Sequence, residues 1–214
     1  MYKGRSLGSI IAGSLLMLAS LNPSIADTGL IDDFTRADGL SALGTPWRAV
    51  TDQVMGGRSE GAITRRVLDG RQALCLAGEV SLANNGGFVQ AMLDLTPPGA
   101  PDNALDASAF DGVRLLVHGN REVYNLHLKS TATLLPWQSY RATFVAGPEW
   151  REVHLPFESF EPHRLVQRLD TRRLTKLGIL GIGRVFHADV CVAEVGFYRE
   201  MDGSRRPASA SPSR

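Results

Sequence analysis

Past an apolar N-terminal block, apolar and polar positions alternate in short runs, the period of strands rather than of helices. Tyr124-Asn125-Leu126-His127-Leu128-Lys129 alternates strictly, which places Tyr124, Leu126 and Leu128 on one face and Asn125, His127 and Lys129 on the other. The first face is expected to be core and the second wet, so His127 reads as a solvent-facing strand residue, as does His154. Val153, Leu155 and Phe157 repeat the pattern against Glu152 and His154. Val113 to Val117 and Val190 to Val195 are more continuously apolar, as strands in the middle of a sandwich tend to be.

Turn chemistry separates these runs at Leu68-Asp69-Gly70, Asn84-Asn85-Gly86-Gly87, Thr96-Pro97-Pro98-Gly99, Phe110-Asp111-Gly112, His118-Gly119-Asn120 and Ala146-Gly147-Pro148. Short strands punctuated in this way predict an all-β antiparallel sandwich or jelly roll rather than alternating strands and helices. The helices expected are short ones, Leu105 to Phe110 and a turn near Leu165 to Leu174. No internal repeat is visible.

The first 26 residues have a different pattern. Lys3 and Arg5 precede an apolar block from Leu7 to Leu21, and Ser24-Ile25-Ala26 comes just before the first acid, Asp27. This is the pattern of a secretory signal peptide over residues 1–26. The apolar block is shorter than the roughly 20 residues a spanning helix needs. A mitochondrial presequence is the alternative, but both cations precede one continuous apolar block instead of lining an amphipathic helix. The chain is thus expected to be exported, periplasmic or secreted, with one domain over residues 27–200 and no membrane span in the mature chain. Residues 201–214, small and rich in Pro and Ser, read as a disordered tail.

A formal net charge of +1, with no basic stripe or charge block, gives no electrostatic case for nucleic acid. The two cysteines, Cys75 and Cys191, lie in strand-like stretches. An oxidising compartment would let them bridge, while two buried free thiols packed as small apolar groups are slightly favoured.

Several motifs invite a catalytic reading. Gly57-Arg58-Ser59-Glu60-Gly61 fits the nucleophile elbow of hydrolases, but the β-branched, alternating residues after Ser59 predict a strand where the elbow needs a helix. The five histidines do not pair at metal-ligand spacing, so neither metal nor cofactor is expected. Gly181-Ile182-Gly183 lacks the third glycine and the helix of a dinucleotide fingerprint. Among Trp47, Trp137, Trp150, Tyr124 and Tyr140, most are expected in the core. Trp137, in the polar context Leu135-Pro136-Trp137-Gln138-Ser139, is the best candidate for an exposed contact residue.

Two segments go beyond composition. Trp47-Arg48-Ala49-Val50-Thr51-Asp52-Gln53-Val54-Met55-Gly56-Gly57-Arg58-Ser59 and Val80-Ser81-Leu82-Ala83-Asn84-Asn85-Gly86-Gly87-Phe88 resemble two signatures of the complex I intermediate-associated protein 30 family. Ser139-Tyr140-Arg141-Ala142-Thr143-Phe144 and Trp150 to Phe157 continue the match in the family's order, across about Ile31 to Tyr198. This chain departs at His118-Gly119-Asn120, where the family usually has Gly-Asp-Gly, and at His163-Arg164-Leu165 in place of Phe-Arg-Gly. The resemblance implies a galactose-binding-like jelly-roll β-sandwich and a non-catalytic protein-binding role like that of a respiratory complex I assembly factor or chaperone. A carbohydrate-binding module is the alternative. Candidate binding residues are Trp47, Asp52, Met55, Gly56, Gly57, Ser59, Asn84, Asn85, Gly86, Gly87 and Trp137. The glycine pairs are expected in tight loops that either serve the architecture alone or meet as the rim of a cleft.

Overall fold

A computed structural model describes residues 25–97, 99 and 103–200. The expected signal peptide, but for its last two residues, and the expected tail lie outside them. After a single helical turn at Ile25–Thr28, the chain forms an all-β sandwich of two antiparallel sheets. Its strands are β1 (Leu30–Asp32), β2 (Trp47–Thr51), β3 (Glu60–Leu68), β4 (Arg71–Val80), β5 (Phe88–Asp94) and β6 (Gly112–Gly119). They continue as β7 (Glu122–Ser130), β8 (Ser139–Ala146), β9 (Arg151–Pro156), β10 (Glu161–His163), β11 (Leu174–Ile182) and β12 (Phe186–Tyr198). One sheet runs β3-β4-β12-β6-β9, with β1 also against β12; the other runs β10-β8-β7-β11-β5-β2.

The alternating runs place their apolar residues between the sheets. Val89, Ala91 and Leu93 of β5, Leu126 and Leu128 of β7, and Leu177 and Ile179 of β11 meet Leu74, Leu76, Val113, Leu115, Val190 and Val192 of the opposite sheet. Tyr124 joins them fully buried, and its hydroxyl donates to Asn120 Oδ1 (2.6 Å) and accepts from Asp189 N (2.8 Å). A buried phenol needs such partners to avoid the cost of an unpaired polar group.

The continuous apolar run of β12 has a specific cause. The strand lies between β4 and β6, and its outer face is covered as well as its inner one. On the outside Cys191 and Ala193 pack with Ala73 and Cys75 beneath Leu68, Leu116 and Trp150. Cys191 stands directly opposite Cys75 on β4, and the two are joined in a disulfide. The Arg66 guanidinium lies over the bridge, with Nε 3.0 Å from Cys75 Sγ and Nη2 3.1 Å from Cys191 Sγ.

The helix expected at Leu105 to Phe110 is absent, and this segment is irregular, with a β-bridge from Leu105 to Leu174 and a turn at residues 108–109. Its backbone is engaged elsewhere: Leu105 and Leu174 exchange hydrogen bonds (2.7 and 3.0 Å), and Ala107 N donates to Thr171 O (2.8 Å). The Asp106 carboxylate accepts from Ser108 N (2.8 Å), an Asx turn that competes with helix. The turn expected near Leu165 to Leu174 is a short 3-10 turn at Thr171–Arg173, capped by Asp170. Among the described residues no helix is long and apolar enough to cross a membrane.

Candidate functional site

The outward face of the sheet that carries β5, β7 and β11 is the floor of a groove. Strand register sets its side chains in rows. Arg48, Met92, Gly178, His127 and Arg141 are successive neighbours across β2, β5, β11, β7 and β8. Val50, Gln90 and Leu180 form part of the next row, and Asp94, Lys176 and Lys129 lie on the other side. Gly178 leaves the middle of the floor without a side chain, and the Gln90 amide lies across the gap, where a Cβ on Gly178 would collide with it. The groove encloses about 950 Å³, toward the top of the range of roughly 300–1,000 Å³ usual for small-molecule sites.

One wall is the segment 131–138 between β7 and β8, which carries Leu134, Leu135 and Trp137. Gln138 holds it in shape: its Oε1 accepts from Leu134 N (2.9 Å) and Leu135 N (3.0 Å), and its Nε2 donates to Arg164 O (3.0 Å). Lys129 Nζ donates to Pro136 O (2.6 Å) from the floor below. Trp137 is thereby presented 52% exposed, on a loop whose backbone is tied at several points.

At the opposite end of the strands the rim is made by Val54, Met55, Asn85 and Gly86. Both loops of this rim close on Asp52, which is fully buried. Its carboxylate accepts from Ser59 N (2.8 Å), Gly87 N (2.5 Å), Phe88 N (3.2 Å) and the Ser59 hydroxyl. Burial alone would raise the Asp52 pKa, but these hydrogen bonds outweigh it and hold the carboxyl below its ordinary value. Each glycine pair divides two tasks. Gly56 (φ 85°) and Gly87 (φ 139°) supply positive φ, while a Cβ on Gly57 or Gly86 would run into the Asp52 carboxylate. Asn84 Nδ2 links the loops a second time through Gly56 O (3.2 Å).

The groove is basic. Lys129, Arg141, Arg164 and Lys176 line it together with His127 and His163, and no carboxylate is among its described lining residues. Lys176 and Arg48 both pair with Asp94 at the margin. Burial, reinforced by the positive charge of Arg141 and then by His163 and Lys129, pushes the His127 pKa down to about 3, so the imidazole is neutral. His127 is only 7% exposed, and its Nε2 has no hydrogen-bond partner among the described residues. The expectation of a wet His127 is therefore corrected: it is on the outer face as the alternation requires, but it is buried there, in the floor of the groove.

The candidate residues divide into three groups. Met55, Asn85, Gly86 and Trp137 line the groove. Asp52, Gly56, Gly57, Ser59, Asn84 and Gly87 build the rim from behind. Trp47 belongs to neither group: it is buried in the core, and its indole Nε1 donates to Asp32 Oδ2 (2.8 Å). Ser59 is fully buried and followed by β3, and its hydroxyl also accepts from Ser81 N (2.9 Å). Its bonds thus reach Asp52 and the next loop, not a histidine, and an inaccessible hydroxyl on this side of a strand does not form a nucleophile elbow. Among the described residues no group of three or more His, Cys, Asp or Glu could hold a metal ion. The floor residues Gln90, Met92, His127, Lys129, Arg141 and Gly178 are not among the sequence candidates. Alternation puts Lys129 and His127 on one face, but only the strand order brings that face together with those of β5 and β8.

A family model described as Complex I intermediate-associated protein 30 matches residues 33–189. No curated protein matches the chain in sequence. In fold it is similar to the family 11 carbohydrate-binding module of the cellulosomal cellulase Lic26A-Cel5E of Clostridium thermocellum. That match has a TM-score of 0.63 and 11% identity, covering 82% of this chain and 96% of that one. A family 11 module from the same organism in complex with a β-1,3-1,4-mixed-linked tetrasaccharide gives 0.61 and 11%, covering 80% and 95%. The family 30 module of the C. thermocellum cellulosomal cellulase Cel9D-Cel44B gives 0.53 and 13%, covering 72% and 91%. The architecture is thus a jelly-roll-like sandwich.

Proposed function

The chain belongs to the complex I intermediate-associated protein 30 family, and we propose that this member is a non-catalytic binding module whose groove receives a glycan chain. The observation that carries this reading is the joint presence of an exposed indole and convergent polar groups. Trp137 stands on the wall while Gln90, Lys129 and Arg141 point into the same open trough. A sugar ring needs both: an apolar face for its axial C–H groups and fixed hydrogen-bonding groups for its hydroxyls. The fold similarity to modules described as carbohydrate-binding supports the same reading. The leader-like first 26 residues support placing the module outside the cytoplasm, where polysaccharide is met.

A protein partner, as for an assembly factor, is the second reading. It is favoured by exposed apolar residues at both ends of the groove, Val54 and Met55 on the rim and Leu134 (83% exposed) on the wall. Affinity electrophoresis in gels containing soluble polysaccharide separates the two. The glycan reading predicts retardation, weakened severalfold to about tenfold by Trp137→Ala with an unchanged melting temperature, since lost stacking is worth on the order of 0.5–1.5 kcal/mol. Retardation equal in wild type and variant would remove Trp137 from the site.

A further inference from the structure

We propose that the groove is built for an anionic glycan, with a carboxylate or sulfate of the chain held by the Arg141 guanidinium and the Lys129 ammonium. The proposal rests on the glycan reading and names the chemistry of that ligand. Donors and acceptors in the groove are out of balance for a neutral ligand. A neutral sugar hydroxyl both donates and accepts, so a groove for neutral sugars gains from charged acceptors. Here the charged lining consists of Lys129, Arg141, Arg164 and Lys176, which only donate. The complementary ligand group is one that only accepts.

Three of these four cations also have no carboxylate partner among the described residues. Lys176 has Asp94, but none of Lys129, Arg141 and Arg164 is in an ion pair among the described residues. Glu161 faces Arg141 in register on β10, yet it is exposed and outside the groove lining. Arg141 is fixed for recognition: its Nε donates to Ser139 Oγ (3.0 Å), and no hydrogen bond among the described residues engages its two terminal nitrogens. A guanidinium held by Nε presents those nitrogens as a fork that matches two oxygens of a carboxylate or sulfate.

The cations also act on one another. Burial and then the neighbouring Arg164 lower the Arg141 pKa; burial and then Lys176 lower that of Lys129; burial, Arg141 and Arg164 lower that of His163. The directions at Arg141 and Lys129 report partly desolvated positive charge, and that at His163, which disfavours its charged form, reports in part the field of Arg141 and Arg164; an anion in the groove would relieve both. The neutral His127 adds no charge of its own at the centre of the floor.

The test uses one β-glucan in three forms, unmodified, carboxylated at the primary hydroxyl, and sulfated, titrated calorimetrically into the full chain. The expected result is binding of one or both charged forms about tenfold or more tighter than the parent, the equivalent of one charge-assisted hydrogen bond. The preference should collapse in about 0.5 M salt and in both Arg141→Gln and Lys129→Gln, with melting temperatures kept. It should survive Arg172→Gln, which alters an exposed cation away from the groove. The two charged arms show whether the site is made for carboxylate or for sulfate. Equal affinity for all three forms, or a preference lost in Arg172→Gln but not in the groove variants, overturns the anionic assignment and leaves the glycan reading standing. No binding of any form overturns both.

Discussion

A fully buried carboxylate with no cation beside it among the described residues, as Asp52 is, depends on hydrogen bonds alone. Three backbone N–H groups from two loops converge on it, and in its absence they would be buried without partners. Asp52→Ala should therefore cost on the order of 2–4 kcal/mol in urea denaturation, with Asp52→Asn in between because one amide oxygen can still accept. The sequence shows this cluster as turn chemistry, Asp and Asn beside paired glycines. It does not show which glycine of each pair is needed for φ and which for clearance, because clearance depends on a carboxylate from another loop. Trp47 shows the opposite limit: it belongs to a family signature, yet its indole is satisfied by Asp32, and that pairing exists only once β1 and β2 are folded. His127 makes a prediction with a definite sign. Its folded pKa is about 3 against an ordinary 6.5, so between those values the unfolded chain takes up a proton that the folded chain refuses. Its contribution to stability is therefore present above pH 6.5 and is lost as pH falls, at about 1.4 kcal/mol per pH unit within that window. Comparing denaturation of wild type and His127→Gln between pH 7 and 4.5 checks this. The wild type should lose stability more steeply, and parallel slopes would contradict the account.

At the scale of elements, the alternation of β7 and β9 is legible because a half-buried strand leaves a period of two in the sequence. The continuous runs of β6 and β12 were legible as central strands, and they are neighbours in one sheet. What the period could not tell is that the outer face of β7 is a floor and not a wet surface. That depends on the segment 131–138 folding back over it, and the folding back depends on Gln138. Gln138→Ala should free the wall that carries Trp137, weakening polysaccharide retention several-fold while shifting the melting temperature by no more than about 2–4 °C. A loss of retention only as large as the loss of stability would mean that the wall does not position the indole. The expected helix at Leu105 to Phe110 failed for a related reason. Six residues are too few to nucleate a helix alone, and Leu174 and Thr171 offer the same backbone groups better partners.

On the scale of the whole molecule, the two outer faces have been given different work. That of the β4 and β12 sheet is closed by the Cys75–Cys191 disulfide, Arg66 and Trp150. That of the β5, β7 and β11 sheet is left open, walled at both ends and lined with unanswered cations. Residues forming the floor are scattered from Val50 to Ile182, so no contiguous motif announces the groove; it is a property of strand order, which a single sequence does not specify. Whether this face binds glycan can be read by mapping where a ligand lands. Backbone amide shifts of the labelled protein would be followed during titration with a soluble oligosaccharide carrying the charge that calorimetry favours. With glycan in the groove, the largest changes should fall on Gln90, His127, Arg141 and Gly178 and on the Trp137 indole N–H, with Cys75, Cys191 and Trp150 unmoved. Changes centred on the disulfide face, or none anywhere at saturating sugar, would contradict it.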